Sequence, residues 1–368
     1  MKLKPQFQRP DLPLLLVVLG LTIFGLVMIF DASVVIAASD FGDKFYFVKN
    51  QIIWAGFGLF GLSFGLFFDY HRYSRLSIFL LTAAIILLIL VLISGLSSEV
   101  YGARRRLDFG PFSLQPGEFL KVAFIVYLSA WFAKFQWQVE RKKLAIYFLL
   151  VGLILGLLLL QPDMGTAGVI VLSALVIFFL SGAPIWYFFF GIPFFALGFL
   201  GLIVAAPYRL ARLKVLFNPT SDPQGISYHI NQVLIALGSG GLLGLGLGGS
   251  RQKFEFLPEV ATDSIFAIIA EELGFVGGLI LIAVFLFLLW RGFAIARNAP
   301  DKFGFLLAAG ITTWIGLQAF FNLGSMVALL PLTGLPLPFI SYGGSSLIVS
   351  LFGVGVILNI SRQKIAEK

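Results

Sequence analysis

The stretch Leu12–Phe30, LPLLLVVLGLTIFGLVMIF, carries no charged residue and is long enough to cross a bilayer as one helix. Charge-free runs of similar length recur along the chain of 368 residues, of which 59% are hydrophobic and 12% charged. No soluble globular domain needs that much apolar surface. The sequence therefore predicts an all-α polytopic membrane protein. Leu12–Phe30 is interpreted as its first span and not as a cleaved signal peptide, because no small-residue cleavage pattern follows it.

Ten transmembrane helices are predicted from these runs. Lys2, Lys4 and Arg9 place the N-terminus in the cytoplasm, where Lys and Arg collect. An even number of spans returns the C-terminus to the same side. We predict a single membrane domain over residues 1–368, with one large extracytoplasmic loop at about 207–262. The predicted spans cover about residues 12–35, 47–68, 76–96, 116–135, 143–160, 164–181, 184–206, 263–290, 303–328 and 345–361.

The large outer loop contains two distinctive segments. Its middle shows helical apolar spacing, which predicts a helix lying in the membrane interface. Gly238–Ser250 then holds seven glycines in 13 residues, which indicates a flexible or tightly turning strip. This strip is not a nucleotide-binding loop, because no strand precedes it and it lacks the terminal Gly-Lys-Ser/Thr.

Basic residues fall in the predicted outer segments, against the usual bias toward the cytoplasm. Such an exception indicates that they hold an anionic ligand. The net charge of +8 reflects topology and this ligand; no basic soluble domain is present that would bind nucleic acid. The outer basic residues are Arg104, Arg105, Arg106, Lys121, Arg209, Arg212, Lys214, Arg251 and Lys253. The outer acidic residues are Glu118, Glu255, Glu259 and Asp263.

Asp263 immediately precedes the eighth predicted span and has two interpretations. As an ordinary helix cap, its side chain accepts from the first backbone N–H groups. As a functional group, it is a general base at the lipid–water boundary. The neighbouring cations favour the second. The chain has no cysteine, which excludes thiolate catalysis and disulfides.

Other polar residues also have structural alternatives. Glu118 and Lys121 share a helix face, so a structural ion pair is the default. The run Arg104–Arg106 fits a diphosphate clamp or contact with anionic lipid headgroups. Glu271 and Glu272, inside the eighth span, fit a helix–helix clamp or a site role. Asp163 is interpreted as the cap of the sixth span. His71 and His229 fall on opposite sides of the membrane and cannot form a metal pair.

Several strings, taken in order, resemble the SEDS family (shape, elongation, division and sporulation), the membrane glycosyltransferases of peptidoglycan that include RodA and FtsW. The resemblance covers nearly the whole chain. Ser250–Lys253 and Asn359–Arg362 are similar to FtsW, and Tyr228–His229 to RodA. The matching stretches are GARRRLDFGPFSLQPGEFLK (102–121), QPDMGTA (161–167), PYRLAR (207–212), Gly238–Gly249, SRQKFEFLPEVATDSIFAIIAEE (250–272) and PLTGLPLPFISYGGSS (331–346).

The resemblance implies polymerisation of lipid II, a disaccharide pentapeptide on undecaprenyl diphosphate, at the outer face of the bacterial cytoplasmic membrane. It implies Asp263 as the catalytic base and a class B penicillin-binding protein as the transpeptidase partner, in contact with membrane lipid. The need for Mg²⁺ or Mn²⁺ is left open. The implied substrate-binding residues are Arg105, Lys121, Arg209, Arg212, Lys253, Glu255, Glu259, Ser341, Tyr342 and Ser345.

Two other classes of function are alternatives to a polymerase. A flippase for the lipid-linked precursor needs polar groups along a route across the midplane. In this chain the charges cluster on one face, which disfavours that class. A non-catalytic scaffold that recruits a transpeptidase has no need of Asp263. Formation of glycan chains from lipid II by the purified protein distinguishes these possibilities from a polymerase.

Overall fold

The structure is a computed structural model, and it describes the chain apart from residues 1–5, 94–96, 101–102, 110–111, 135–140, 190, 192, 194–197, 199–200, 202–209, 212–214, 217–224, 226, 255 and 365–368. The described part is mostly helical and follows the predicted spans. The helices are α1 (Leu12–Phe41), α2 (Tyr46–Phe67), α3 (Tyr70–Ile93), α4 (Pro116–Ala133), α5 (Arg141–Leu160), α6 (Met164–Leu180), α7 (Tyr228–Gly240), α8 (Ile265–Arg297), α9 (Lys302–Met326) and α10 (Gly344–Arg362).

Seven of these helices are long and apolar enough to cross a membrane: α1, α2, α3, α4, α8, α9 and α10. The predicted multi-pass membrane protein is therefore confirmed. Helices α5 and α6 coincide with two further predicted spans, but their apolar segments are shorter. The predicted span 184–206 falls largely outside the described residues. Ten spans and two cytoplasmic termini stay predictions.

Aspartates at the entrances fix where three of the apolar helices begin. The Asp11 carboxylate accepts from the backbone N–H of Leu14 at the start of α1. Asp163 accepts in the same way from Thr166 at the start of α6, as predicted. Asp301 does the same at the start of α9. Each cap satisfies a donor that the first helical turn leaves without a partner.

The prediction of an all-α fold is wrong in one respect, because two small antiparallel sheets are present. The larger sheet joins β2 (Ser97–Val100), β3 (Ala103–Phe109) and β4 (Phe112–Leu114) in that order. The smaller sheet pairs β1 (Gln6–Phe7) with β5 (Gln363–Lys364). These strands have two to seven residues, too few for their alternation to stand out in a span search. The larger sheet carries Arg104–Arg106 on β3.

Helices α4 and α9 form the centre of the bundle. Most of their residues are buried, and Trp314 of α9 is wholly enclosed. Helices α1, α2, α3 and α8 instead expose large apolar side chains such as Phe60 and Phe79, which suits helices that face lipid. The polar residues inside α4 and α9 therefore lie in the protein interior.

Helix α8 is broken near its start at Gly274, whose φ of 69° and ψ of −171° are not helical. Its first part, from Ile265 to Glu272, is buried throughout. Its second part exposes apolar side chains, including Phe275 and Leu279. The break therefore joins a short buried half-helix to a long half with a lipid-facing surface.

The break is completed by residues 241–249, here called the glycine strip. In an unbroken helix the N–H groups of Phe275 and Val276 would bind the carbonyls of Glu271 and Glu272. Here they donate to the carbonyls of Gly241 and Leu242 instead, at 2.9 and 3.1 Å. The freed carbonyls of Glu271 and Glu272 accept from the N–H groups of Leu245 and Gly246, both at 3.0 Å. The strip is thus tightly turning. It supplies acceptors for the two N–H groups and donors for the two carbonyls that the break leaves without helical partners.

Helix α7 occupies the segment in which the sequence predicts an interfacial helix. It buries Ile230, Val233 and Ala236. Its placement in the membrane interface stays a prediction.

We predict that Gly244→Ala destabilises the protein more than Gly246→Ala. Both glycines have positive φ, 80° and 88°, which costs an alanine about 1–2 kcal/mol. Only at Gly244 would the added Cβ overlap backbone, 2.1 Å from the Glu272 carbonyl oxygen. We expect that overlap to add about 1–3 kcal/mol. Thermal unfolding of both variants in detergent measures the difference, and equal melting temperatures would contradict the described pairing.

Candidate functional site

The site is built around the segment 258–264, called here the Asp263 segment, which leads into α8. Ser264 occupies the N-cap position of α8, so Asp263 stands one residue outside the helix. The Asp263 side chain is partly buried. Its position therefore differs from that of Asp11, Asp163 and Asp301, which occupy the N-cap itself.

The main chain at Asp263 is held by a buried amide of α9. The Nδ2 group of Asn322 donates to the carbonyl oxygens of Asp263 and Leu335, each at 2.8 Å. Asn322 is 1% exposed. One side chain thus bridges the Asp263 segment to the irregular stretch 331–343, called here the C-terminal loop. A buried amide with both donors satisfied fixes its partners strongly, because losing either bond would strand a buried carbonyl.

Two further bonds join the same pair of segments. The hydroxyl of Ser341 donates to the carbonyl of Thr262 at 2.6 Å, and the backbone N–H of Tyr342 donates to the carbonyl of Ala261 at 2.8 Å. Three successive carbonyls, at positions 261 to 263, are therefore each held by a different donor. The predicted site residues Ser341 and Tyr342 lie within this clamp. Burial raises the pKa of the Tyr342 hydroxyl above its usual value.

Gln318 forms a second buried junction, one helical turn before Asn322. Its Nε2 group donates to the carbonyl of Pro336 and to the Ser346 hydroxyl, at 3.0 and 3.2 Å. Its Oε1 accepts from Lys121 at 2.6 Å and from the Trp314 indole at 3.0 Å. The C-terminal loop is therefore held on α9 at two levels.

Lys121 lies beneath this junction and not on an open surface. Its ammonium is 2.7 Å from Glu118 Oε1, and both side chains are 1% exposed. The predicted structural ion pair is confirmed. Among the described residues, the Lys121 ammonium is enclosed by Glu118, Gln318 and Trp314. Its implied contact with substrate stays a prediction.

Lys253 is also buried in an ion cluster. Its ammonium lies 2.9 Å from Asp31 of α1 and 3.0 Å from Glu272 of α8. Burial alone would lower the pKa of Lys253, but the two carboxylates outweigh it and the pKa is raised. Lys253 therefore joins the outer loop to two helices. The substrate contact that the family resemblance implies for it stays a prediction.

Glu271 completes this cluster as a helix–loop clamp. It accepts from the hydroxyls of Ser250 and Ser239 at 2.5 and 3.2 Å, and from the backbone N–H of Arg251 at 3.1 Å. Of the two interpretations given to Glu271 and Glu272, the structure fits the clamp. It joins α8 to α7 through Ser239, as a clamp between helices would, and to the loop through Ser250 and Arg251.

Arg105 extends from β3 to the turn between α5 and α6. Its guanidinium donates to the backbone carbonyls of Gln161, at 3.2 Å, and Pro162. Gln161 in turn donates to the Leu88 carbonyl at 2.9 Å. At least two of the Arg105 donors are thus used within the protein. Arg106, next on the strand, is exposed.

The remaining predicted residues are placed as follows. Ser345 accepts from the backbone N–H of Gln115 at 3.1 Å, which ties α10 to the start of α4. Glu259 is exposed, has a φ of 51°, and accepts from the Thr262 hydroxyl at 2.7 Å. The predicted substrate-binding residues Arg209, Arg212 and Glu255 lie outside the described residues. Among the residues that are described, no group of three His, Asp or Glu side chains is arranged as metal ligands.

The sequence analysis missed Asn322, Gln318 and Asp31. The first two lie four residues apart inside a charge-free run, and polar residues at such positions commonly have partners or functions. Asp31 was overlooked because it falls within the first predicted span. In each case the available signal was a polar residue inside an apolar run of the sequence.

We predict that Lys253→Ala unfolds at markedly lower temperature while Arg251→Ala does not. Removing Lys253 leaves the buried Glu272 and the partly buried Asp31 without their cation, a loss of about 3–5 kcal/mol. Arg251 is exposed, and its bond to Glu271 uses the backbone N–H that alanine keeps, so its loss costs less than about 0.5 kcal/mol. Thermal unfolding tests this. An unchanged melting temperature for Lys253→Ala with a raised KM would instead make Lys253 a substrate contact.

Comparison with known proteins places this architecture in a family. Residues 12–366 match the family model described as "Cell cycle protein", of FtsW, RodA and SpoVE. Stage V sporulation protein E of Bacillus subtilis strain 168 is 43% identical over 356 residues, covering 96% of this chain and 97% of that protein. The probable peptidoglycan glycosyltransferase FtsW of Trichlorobacter lovleyi is 43% identical over 354 residues, covering 95% and 93%.

Solved structures agree with the sequence relatives. A chain of a peptidoglycan synthase complex, studied for the coordination of polymerization and crosslinking, has a TM-score of 0.81 at 30% identity. The match covers 97% of this chain and 99% of that one. The rod shape determining protein RodA of Thermus thermophilus has a TM-score of 0.71 at 30% identity, covering 96% and 97%. The predicted family is confirmed, and FtsW relatives are named as the predicted class of enzyme. The chain belongs to the FtsW, RodA and SpoVE family of membrane proteins.

Proposed function

We propose that this chain is a peptidoglycan glycosyltransferase that polymerises lipid II at the extracytoplasmic face of the cytoplasmic membrane, with Asp263 as general base. The observation that carries the proposal is the clamp on the carbonyls of residues 261–263. It fixes the backbone that carries the Asp263 side chain. A positioned base must hold one geometry relative to the proton it removes.

The proposed reaction is a direct displacement. The Asp263 carboxylate takes the proton from a sugar hydroxyl of the acceptor, and that oxygen bonds to the anomeric carbon of the donor. The bond between this carbon and the lipid diphosphate breaks, and the diphosphate leaves with the electron pair. Configuration at the anomeric carbon inverts, because no covalent enzyme intermediate forms.

Charge on the leaving diphosphate requires cations, since preorganised positive charge stabilises a developing anion. We assign this to Arg209 and Arg212, together with the part of the Arg105 guanidinium not bound to the turn at Gln161. Lys121 and Lys253 support the site through the elements they hold. Residues Glu255 and Glu259 complete the acidic side of the substrate surface.

The proposal includes a partner. A neighbour in fold is part of a peptidoglycan synthase complex. We propose that this chain likewise acts beside a class B penicillin-binding protein, which crosslinks the strands that it makes. The topology that goes with this function has ten spans, both termini in the cytoplasm, and the Asp263 segment outside.

The test compares Asp263→Asn with the matched control Glu259→Gln. The Asn322 bond is made to the main-chain carbonyl of residue 263, so Asp263→Asn keeps the clamp. We expect it to melt near wild type and to slow polymerisation of lipid II by about 10²–10⁴-fold, the usual worth of a positioned base. Glu259→Gln can still accept from the Thr262 hydroxyl and keeps a polar group on the substrate surface, so its rate should fall far less than that of Asp263→Asn.

Glycan products are measured with purified protein and lipid II, alone and with the transpeptidase. Near-normal polymerisation by folded Asp263→Asn would remove Asp263 from the mechanism. A large loss in Glu259→Gln alone would move the base to Glu259. Transfer of lipid II across vesicles without polymer formation by the wild-type protein would favour the flippase.

A further inference from the structure

The glycine strip exposes a row of leucines beside α8. Leu242, Leu243, Leu245 and Leu247 are 72%, 81%, 45% and 68% exposed. Four exposed leucines in six residues form an apolar surface of the kind that marks an interaction site. The row lies beside exposed apolar side chains of α8, because Gly241 and Leu242 bind the backbone of Phe275 and Val276.

The depth of the strip follows from the length of α8. Arg291, near the end of α8, is paired with Asp11 at the start of α1, and the exposed Trp290 lies beside it. Charged pairs and tryptophan mark a membrane boundary. Phe275 lies 16 residues before Arg291, about 24 Å at about 1.5 Å per residue. The hydrocarbon core is about 30 Å thick, so Phe275 falls about 6 Å inside the opposite boundary. Tilting the helix would bring it deeper.

Helix α1 gives an independent check on this depth. Asp31 lies 20 residues after Asp11, about 30 Å along the helix. The Asp31–Lys253 pair therefore marks the opposite boundary. Lys253 is only four residues beyond the end of the strip, so the chain leaves the strip directly into this boundary.

The strip satisfies the polar backbone groups at the break of α8 within the protein. An N–H or C=O without a partner costs several kcal/mol in lipid, so irregular backbone occurs there only where its polar groups are satisfied. The four hydrogen bonds between the strip and the broken turn of α8 meet that condition for the groups at the break. A loop in water would not need these hydrogen bonds, because water would satisfy the same N–H and C=O groups.

From exposure, depth and backbone pairing together we infer that the glycine strip is a re-entrant membrane segment whose leucines contact the hydrocarbon of the leaflet opposite the Asp11–Arg291 pair. The occupant of this surface is the bilayer itself. The inference does not depend on the proposed enzymatic activity. As a consequence, the strip and Lys253 fix the depth of the following Asp263 segment relative to the membrane.

The test uses single-cysteine spin labels, for which the chain is suited because it contains no cysteine. Leu243→Cys is labelled with a nitroxide in the full-length protein in liposomes of phosphatidylcholine and phosphatidylglycerol. Leu279→Cys, on the lipid-facing part of α8, is the hydrocarbon control. Lys44→Cys, in the exposed connection between α1 and α2, is the aqueous control. Leu247→Cys repeats the measurement at the other end of the row.

Collision rates with oxygen, which concentrates in hydrocarbon, and with a water-soluble nickel chelate give the result. We expect the oxygen-to-nickel ratio at Leu243 to match that at Leu279 within about twofold and to exceed that at Lys44 by about fivefold or more. A ratio at both Leu243 and Leu247 that equals the Lys44 value would overturn the inference and leave the row as a surface for an extracytoplasmic partner. Loss of polymerase activity in these variants would bear on the proposed function and not on the depth.

Discussion

The structure depends on one constraint: beside a bilayer, each backbone N–H and C=O of an irregular segment must find its partner within the protein. Two irregular segments surround the candidate site, the Asp263 segment and the C-terminal loop. Neither forms a helix or strand, and they satisfy each other through Tyr342, Ser341 and the bridging amide of Asn322. The broken turn of α8 uses the glycine strip in the same way. Gln318 and Asn322, two polar side chains inside α9, help to complete this backbone.

The same constraint changes the interpretation of the outer cations. The number of outer cations predicted a surface that binds an anionic substrate. Two of them, Lys121 and Lys253, are instead buried and paired with carboxylates of the protein, because a buried ammonium is stable only when it is paired. In the proposed reaction, binding of the diphosphate is therefore assigned to the arginines. The buried lysines hold in place the helices and loops that carry the site.

The sequence was sufficient for the multi-pass helical class and the family, because long charge-free runs and ordered motifs are local signals. It did not predict the sheet that carries Arg105, since strands of three to seven residues leave little pattern. It also missed Asn322, whose role exists only once residues 263 and 335 are brought together in space. The partners of Lys253 lie 222 and 19 positions away in the chain, so neither pair could be recognised from local spacing.

The central claim is that the buried amide of Asn322 places the Asp263 carboxylate for chemistry. The most direct measurement is the kcat and KM of lipid II polymerisation by Asn322→Leu, with Ser341→Ala as a milder second variant and thermal unfolding recorded for both. Displacement of the Asp263 segment should lower kcat by about 10–100-fold with little change in KM, because a shift of about 1 Å in a catalytic group has that effect. A folded Asn322→Leu protein with wild-type kcat would contradict the account.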